Sequence, residues 1–245
     1  MNGAVHLLDV NPALDRPALA AQFAQSGRLQ IRDVLTRESA NALHHVLAHE
    51  TPWGLVWQDG ERKPTQYRAE DLVSLGSAER QRIGQTLVKA MQSGEYAFSY
   101  NFYPLLDAYL QKWRAGGPHD LLLEHINSQP FLDLIRQITN IPEIVKADAQ
   151  ATLYAPGQFL AMHNDSDVAE GRRIAYVLNM TNMDWREDHG GYLMFYDDDG
   201  DVVQGFRPRF NALNIFTVPQ RHNVTYIPPF APLGRYAVTG WFRDR

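Results

Sequence analysis

One of the nine histidines is followed two positions later by a carboxylate, in the segment His163-Asn164-Asp165. On a β-strand, the side chains of residues i and i+2 project from the same face. The spacing therefore predicts an imidazole and a carboxylate directed at one point, with Asn164 turned away. Taken alone, so short a pattern is more often an ordinary surface pair than a set of metal ligands.

His222 begins a second predicted strand, which a barrel can place beside the first. Two imidazoles and one carboxylate on one face of a metal are the ligand set of non-haem Fe(II) sites, which keep coordination positions open. The chain contains no cysteine, so disulfides, thiolate nucleophiles, iron–sulfur clusters and cysteine zinc sites are excluded. Any metal must therefore be held by His, Asp or Glu.

Arg235 lies 13 residues after His222, on the last predicted strand. It shares a face of that strand with Thr239 and Trp241. A guanidinium fork suits a carboxylate bidentately. An inward-facing arginine without an anionic ligand is costly to bury. The pattern predicts an anion site at Arg235, and the alternative is a salt-bridged arginine on the rim of a barrel.

The elements that must position these residues change character near residue 148. Before it, helical patterns dominate, and Thr36 is the predicted N-cap of one helix. Helices are predicted over 37–50, 77–91, 103–114, 118–127 and 129–138, a short helix or a turn over 11–26, and strands at 29–35 and 53–57.

After residue 148 the apolar period switches to two, which is typical of strands. Eight strands are predicted, at 148–156, 159–164, 172–181, 191–197, 201–206, 210–217, 222–227 and 234–243. So many short strands indicate a sandwich or jelly roll. No Pro/Gly/Ser linker divides the chain. We therefore expect an α+β fold in which the helical region 1–147 packs on a β core, 148–245, as one integrated domain.

The composition is that of a globular protein, with 44% apolar and 21% charged residues. The net charge of −5 and the lack of a dense Lys/Arg run along the sequence argue against nucleic-acid binding. No stretch approaches the roughly 18 apolar residues of a membrane span. The N-terminus lacks the pattern of a secretory signal. We expect a cytoplasmic protein with no membrane partner.

The motif His163-x-Asp165, then His222, then Arg235-x-x-x-Thr239-x-Trp241 resembles the 2-oxoglutarate/Fe(II)-dependent dioxygenases of the prolyl 4-hydroxylase type. Further segments are similar to that family in the same order. They are Tyr154-Ala155-Pro156-Gly157, Arg172 to Leu178, and Trp185 followed by Gly190-Gly191-Tyr192-Leu193. The resemblance covers about residues 148–245 and implies a double-stranded β-helix, or jelly roll.

The resemblance also implies a role for each matching position. His163, Asp165 and His222 would bind Fe(II), and Arg235 would pair with the distal carboxylate of 2-oxoglutarate, helped by Thr239. Tyr154 would hydrogen-bond near the cosubstrate or substrate, and Trp241 would form a wall of the pocket. The implied cofactors are Fe(II), 2-oxoglutarate and O₂, with ascorbate as a stimulant.

One position departs from the family pattern. Where the family has the tyrosine of a Tyr-Leu-Asn segment, this chain has Met180, followed by Thr181-Asn182. Tyr176, on the same strand face, is the candidate for the missing hydroxyl, and Met180 would otherwise line the pocket. Arg173 is a further candidate for substrate contact at the mouth of the barrel.

The implied reaction is hydroxylation of an unactivated C–H bond, with succinate and CO₂ as co-products. The first hypothesis for the substrate is a prolyl residue in a protein or peptide. The alternatives are a free amino acid or small metabolite, and a non-catalytic metal-binding or interaction module of the same fold. The sequence leaves the substrate, the regiochemistry and the oligomeric state open.

An aromatic run, Tyr96 to Tyr103, lies outside the region of resemblance. Such a density of aromatic side chains is typical of core packing. The functional alternative is a lid or wall at the entrance for substrate.

Overall fold

The chain is described here from a computed structural model, which covers residues 7–60, 63–165 and 171–245. Seven α-helices are described: α1 Arg16–Ser26, α2 Arg37–His45, α3 Ala69–Ser74, α4 Ser77–Gln92, α5 Leu105–Leu110, α6 Pro118–Ile126 and α7 Gln129–Thr139. Helix α2 continues as a π-helical turn, Val46–Glu50. Thr36 caps α2 as predicted, because its hydroxyl accepts a hydrogen bond from the Ser39 main-chain N–H at 3.3 Å.

The strands of the N-terminal region are β1 Arg28–Arg32, β2 Gly54–Asp59, β3 Thr65–Tyr67 and β4 Ala97–Tyr103. The later strands are β5 Lys146–Ala147, β6 Gln150–Tyr154, β7 Phe159–His163, β8 Arg172–Asn179, β9 Leu193–Tyr196, β10 Val202–Phe206, β11 Ala212–Thr217, β12 His222–Val224 and β13 Arg235–Arg243. The eight strands predicted after residue 148 are confirmed, with ends shifted by a few residues.

The strands pair in the order β1-β11-β8-β13-β6-β4-β7-β12-β9-β10. Strand β4 connects the two halves of this order, since residues 101–103 pair with β6 and residues 98–99 pair with β7. The bend makes a nearly closed antiparallel barrel with free edges at β1 and β10. The predicted jelly roll is confirmed, and the N-terminal region contributes strands to it as well as helices.

The two faces of β8 show where the cores lie. Tyr176 and Leu178 pack with helical residues such as Leu43 and Ile135 in the largest apolar cluster, between the helices and the sheet. The alternate residues of the strand, including Val177, pack inside the barrel. Helices α2, α6 and α7 therefore cover one face of the sheet, and the other face encloses the barrel interior.

The aromatic run is a strand that the sequence analysis did not assign. Tyr96 precedes β4, and Phe98, Tyr100 and Phe102 pack in the barrel cluster that also contains Tyr154. The short elements β3 and α3 were not predicted either. Within the described ranges, none of the helices is long and apolar enough to cross a bilayer.

Candidate metal centre

The two histidines of the predicted triad face each other across paired strands. His163 is the last residue of β7, His222 is the first of β12, and the two are direct partners in the register. Asp165 lies beyond the end of β7 with φ of 54°. The chain therefore brings Asp165 to the histidines by turning, not by the strand alternation that the spacing predicts. Aspartate is among the residues that tolerate this left-handed conformation.

The Asp165 carboxylate lies against both imidazoles. Its Oδ1 is 3.5 Å from His163 Nε2, and its Oδ2 is 3.6 Å from His222 Nε2. One ligand atom of each residue lies within 4.8 Å of the others, and no further group of this kind occurs in the described ranges. Trp241 Nε1 donates to Asp165 Oδ2 at 3.2 Å, which orients the carboxylate.

Main-chain carbonyl groups set the tautomer of both rings. His163 Nδ1 lies 2.9 Å from the Ala161 carbonyl oxygen. His222 Nδ1 lies 2.7 Å from that of Gln220. Because a carbonyl oxygen only accepts, each Nδ1 carries the hydrogen, and each Nε2 is directed toward Asp165. Burial, followed by the nearby His163, lowers the pKa of His222 to about 4, which favours the neutral form that ligation requires.

The triad opens into a cavity of about 320 Å³ inside the barrel. One wall is a row of aromatic rings. Tyr96 meets Phe98 edge-on at 5.8 Å between centroids, and stacked contacts follow from Phe98 to Tyr100 at 5.5 Å and from Tyr100 to Tyr154 at 5.2 Å. Apolar walls of this kind exclude water and strengthen the interactions of charged groups within the cavity.

Arg235 lines the same cavity and is 1% exposed. Its Nε donates to the Gly191 carbonyl oxygen at 2.7 Å, and the guanidinium carbon lies 4.7 Å from the centroid of the Tyr154 ring. Nη1 is buried with no hydrogen-bond partner, and no carboxylate pairs with this side chain in the described part of the chain. Burial lowers the pKa of Arg235 to about 10. The cavity thus holds a buried cation that an anionic ligand would complete.

Gly191 allows the close approach of Arg235. A Cβ at Gly191 would lie 2.8 Å from Arg235 Cδ and 2.6 Å from Ile227 Cδ1, and the residue has φ of 67°. Any larger residue would be strained at this position and would displace the guanidinium. The preceding Gly190 carbonyl accepts from Trp185 Nε1 at 2.9 Å. Trp185 therefore helps to hold the Gly190-Gly191 backbone on which Arg235 packs.

The other residues expected near the cosubstrate also line this cavity. Tyr154 is the direct β-sheet partner of Arg235, and Thr239 and Trp241 follow along β13. Burial raises the pKa of Tyr154 well above its usual value, so its hydroxyl remains a donor. The structure therefore brings together His163, Asp165, His222, Arg235, Tyr154, Thr239 and Trp241, whose roles remain predictions.

Three further residues, which the sequence suggested for the substrate or the pocket, have other surroundings. Tyr176 reaches the cavity wall, but its hydroxyl donates to the Asp148 carbonyl oxygen at 2.8 Å on the helix side of the sheet. Met180 is fully buried in the core between helices and sheet. Arg173 is half-exposed and pairs with Asp244 at 2.6 Å. The structure thus places neither the Tyr176 hydroxyl nor Met180 beside Arg235.

Asp148 is a positioning residue that the sequence analysis missed. Its Oδ1 accepts from the Trp241 main-chain N–H at 2.8 Å, and Oδ2 accepts from Arg243 Nε at 2.8 Å. These bonds fix the end of β13 that carries Trp241. The sequence signal was weak, since a lone aspartate before a strand has many uses.

Comparisons with known proteins match part of the chain to a family. Residues 149–243 match the family described as the 2OG-Fe(II) oxygenase superfamily. No curated protein sequence matches the chain.

Solved structures of low sequence identity share the fold. A prolyl-4-hydroxylase from Pseudomonas putida has a TM-score of 0.56 at 19% identity, over 94% of this chain and 99% of that one. A prolyl hydroxylase from Trichoplax adhaerens, in complex with a peptide fragment of the hypoxia-inducible factor, has a TM-score of 0.57 at 15% identity, over 94% and 89%. The α-ketoglutarate-dependent epimerase SnoN of nogalamycin biosynthesis has a TM-score of 0.55 at 13% identity, over 94% and 82%.

Proposed function

We propose that this chain is a dioxygenase that hydroxylates an unactivated C–H bond of a prolyl residue in a protein or peptide. The match of residues 149–243 to the 2OG-Fe(II) oxygenase superfamily supports the dioxygenase activity. The observation that carries the reaction class is one cavity containing both a His-Asp-His group and a buried arginine without a counter-charge. The first feature suits a divalent metal. The second suits a carboxylate.

His163, Asp165 and His222 would hold Fe(II) through Nε2, a carboxylate oxygen and Nε2. Two neutral imidazoles and one carboxylate leave a net charge of +1 at the metal, which a dianionic cosubstrate complements. The carbonyl oxygens of Ala161 and Gln220 keep both rings oriented.

Arg235 would bind the distal carboxylate of 2-oxoglutarate, with hydroxyl groups of Tyr154 and Thr239 as further donors. The free Nη1 gives the guanidinium a vacant donor for this purpose. When bound, iron and 2-oxoglutarate supply the oxidation, in which O₂ is consumed, 2-oxoglutarate becomes succinate and CO₂, and a hydroxyl group is delivered to the substrate. The protein supplies orientation and the exclusion of water.

For the substrate class, the fold shared along nearly the whole length of the Pseudomonas putida prolyl-4-hydroxylase favours a prolyl residue. A small metabolite is the second candidate, because the epimerase SnoN, in complex with α-ketoglutarate and nogalamycin RO, shares the fold as well. A mass-spectrometric search for a +O product in proline-containing peptides and in a metabolite mixture separates these candidates.

The proposed location of the protein is the cytoplasm. No nucleic-acid substrate is proposed.

The reaction class is tested by Asp165→Ala. We expect conversion of 2-oxoglutarate to succinate, with Fe(II) and with or without ascorbate, to fall by at least about 100-fold, because a metal ligand is lost. Asp188→Ala is the matched control, since Asp188 lies in the exposed 3-10 turn Glu187–His189 outside the cavity. Full activity of Asp165→Ala, with both variants folded by circular dichroism, would contradict the assignment.

A further inference from the structure

A second cleft, of about 770 Å³, lies between the free edges of the barrel at β1 and β10. We name it the arginine cleft after four of its lining residues, Arg28, Arg32, Arg207 and Arg209. It shares no lining residue with the catalytic cavity. The four arginines come from opposite ends of the sequence and are brought together by the pairing of β1 with β11.

Neutral groups hold two of the four guanidinium groups. Arg28 donates to the side-chain oxygens of Gln204, at 2.8 Å, and Gln220, at 2.9 Å. Arg209 Nε donates to Gln30 Oε1 at 3.1 Å. Amide oxygens orient an arginine without neutralising it. The positive charge of these side chains is therefore retained in the cleft.

Glu187 is the one carboxylate among the described residues that line the arginine cleft, and it pairs with Arg207 at 3.0 Å. Its side chain is 78% exposed, and an exposed ion pair contributes little. Arg207 Nε is buried with no hydrogen-bond partner. The pKa of Arg209 is lowered by burial and by the positive charges of Arg32 and Arg207. Four arginines against one acid leave a formal charge of +3 in a chain whose net charge is −5.

The walls of the cleft are strand edges. β1 pairs only with β11, and β10 only with β9, so each strand has one edge without a partner among the described strands. Such an edge can take an additional strand through main-chain hydrogen bonds. Val202 and Val203 at the start of β10 are 55% and 46% exposed.

We propose that the arginine cleft binds an extended, Asp/Glu-rich segment of a partner protein. The arginines would pair with its carboxylates, and a free strand edge would pair with its backbone. A nucleic acid could pair with the same arginines, but it has no peptide backbone that could add a strand to a free edge. This inference is independent of the proposed function.

Fluorescence anisotropy with the full chain tests the proposal. The probes are a labelled peptide of alternating Glu and Val, the same peptide with Gln for Glu, and a single-stranded RNA of equal charge. We expect the acidic peptide to bind more tightly than the other two. Its affinity is expected to fall as salt is raised, because the contacts are ionic.

The variant Arg32→Gln/Arg209→Gln should weaken binding of the acidic peptide by about tenfold or more, since two charged hydrogen-bond donors are removed from the cleft. Arg82→Gln on α4 is the matched control, because it removes an exposed charge outside the cleft. Unchanged succinate production and melting temperature in the double variant show that the catalytic cavity and fold are intact. Any of four results would overturn the proposal. The neutral peptide could bind as tightly as the acidic one, RNA could bind more tightly, no probe could bind, or the double variant and Arg82→Gln could have the same affinity for the acidic peptide.

Discussion

Single residues of the cavity show how its charges are arranged for a ligand. Arg235 is buried with a vacant donor, and the rings of His163 and His222 are fixed by main-chain carbonyls with Nε2 toward Asp165. A buried guanidinium without a counter-charge is unfavourable unless a ligand compensates it. The unpaired guanidinium therefore lowers the stability of the ligand-free protein, and it also provides a binding site for an anion.

Replacing Arg235 tests both effects, on anion binding and on stability. We expect Arg235→Met to raise the KM for 2-oxoglutarate by about 10- to 100-fold, since charged hydrogen bonds contribute about 1.5–3 kcal/mol. The iron requirement should hardly change. The ligand-free variant should melt no lower than the wild type, because removing an unpaired buried charge offsets the lost packing.

Arg82→Met is the control for this prediction, because Arg82 on α4 pairs with Glu79 outside the cavity. Both measurements follow succinate production at increasing 2-oxoglutarate and, separately, increasing Fe(II). An unchanged affinity of Arg235→Met for 2-oxoglutarate would remove Arg235 from the proposed site.

At the scale of elements, the last strand carries much of the site. β13 lies between β6 and β8 and contributes Arg235, Thr239 and Trp241 to the cavity. Between the last two, Gly240 packs against the segment before β6, where a Cβ would lie 2.2 Å from the Asp148 carbonyl oxygen. The close contact lets Asp148 hold the Trp241 main chain.

We predict that Gly240→Ala destabilises the protein by about 1–3 kcal/mol, because the new methyl group overpacks against rigid backbone. Gly84→Ala is the matched control: Gly84 lies in α4 with nothing within 4 Å of its added Cβ. The control should stabilise by about 0.5–1 kcal/mol through helix propensity. Urea unfolding of both variants measures the difference, and an equal effect of the two substitutions would contradict the packing argument.

At the scale of the whole molecule, the helices and sheet are joined by a core that contains a buried histidine. His119 on α6 is 3% exposed, its Nε2 lies 3.0 Å from Thr51 Oγ1, and its ring lies 4.5 Å from that of Tyr103. Burial lowers the pKa of His119 to about 4. The folded protein therefore keeps this ring neutral under conditions in which the unfolded chain protonates it.

This difference predicts part of the acid sensitivity. Between the unfolded pKa of about 6.5 and the folded pKa of about 4, the unfolded state binds one more proton. Stability from His119 is thus present above about pH 6.5 and is lost as the pH falls toward 4, by up to about 1.4 kcal/mol per pH unit. His119→Gln should flatten the pH dependence of unfolding in this range. Parallel curves for wild type and His119→Gln would contradict the prediction.

The arginine cleft is also a property of the whole molecule. The sequence shows no dense basic run, and its net charge argued against nucleic-acid binding. Folding places Arg28 and Arg32 of β1 beside Arg207 and Arg209, which lie between β10 and β11. A local charge pattern of this kind depends on strand pairing, which a scan along the sequence does not contain.

The sequence by itself determined which residue types could bind a metal and an anion, and where the eight later strands lie. Strand periodicity and the lack of cysteine were sufficient for this. It did not determine how Asp165 reaches the histidines, because a turn with positive φ leaves no periodic signal. Nor did it show that Tyr176 directs its hydroxyl away from Arg235. β8 is buried on both faces from Ile174 onward, so its apolar pattern is the same toward the helices and toward the cavity. Only the tertiary packing decides which face becomes which.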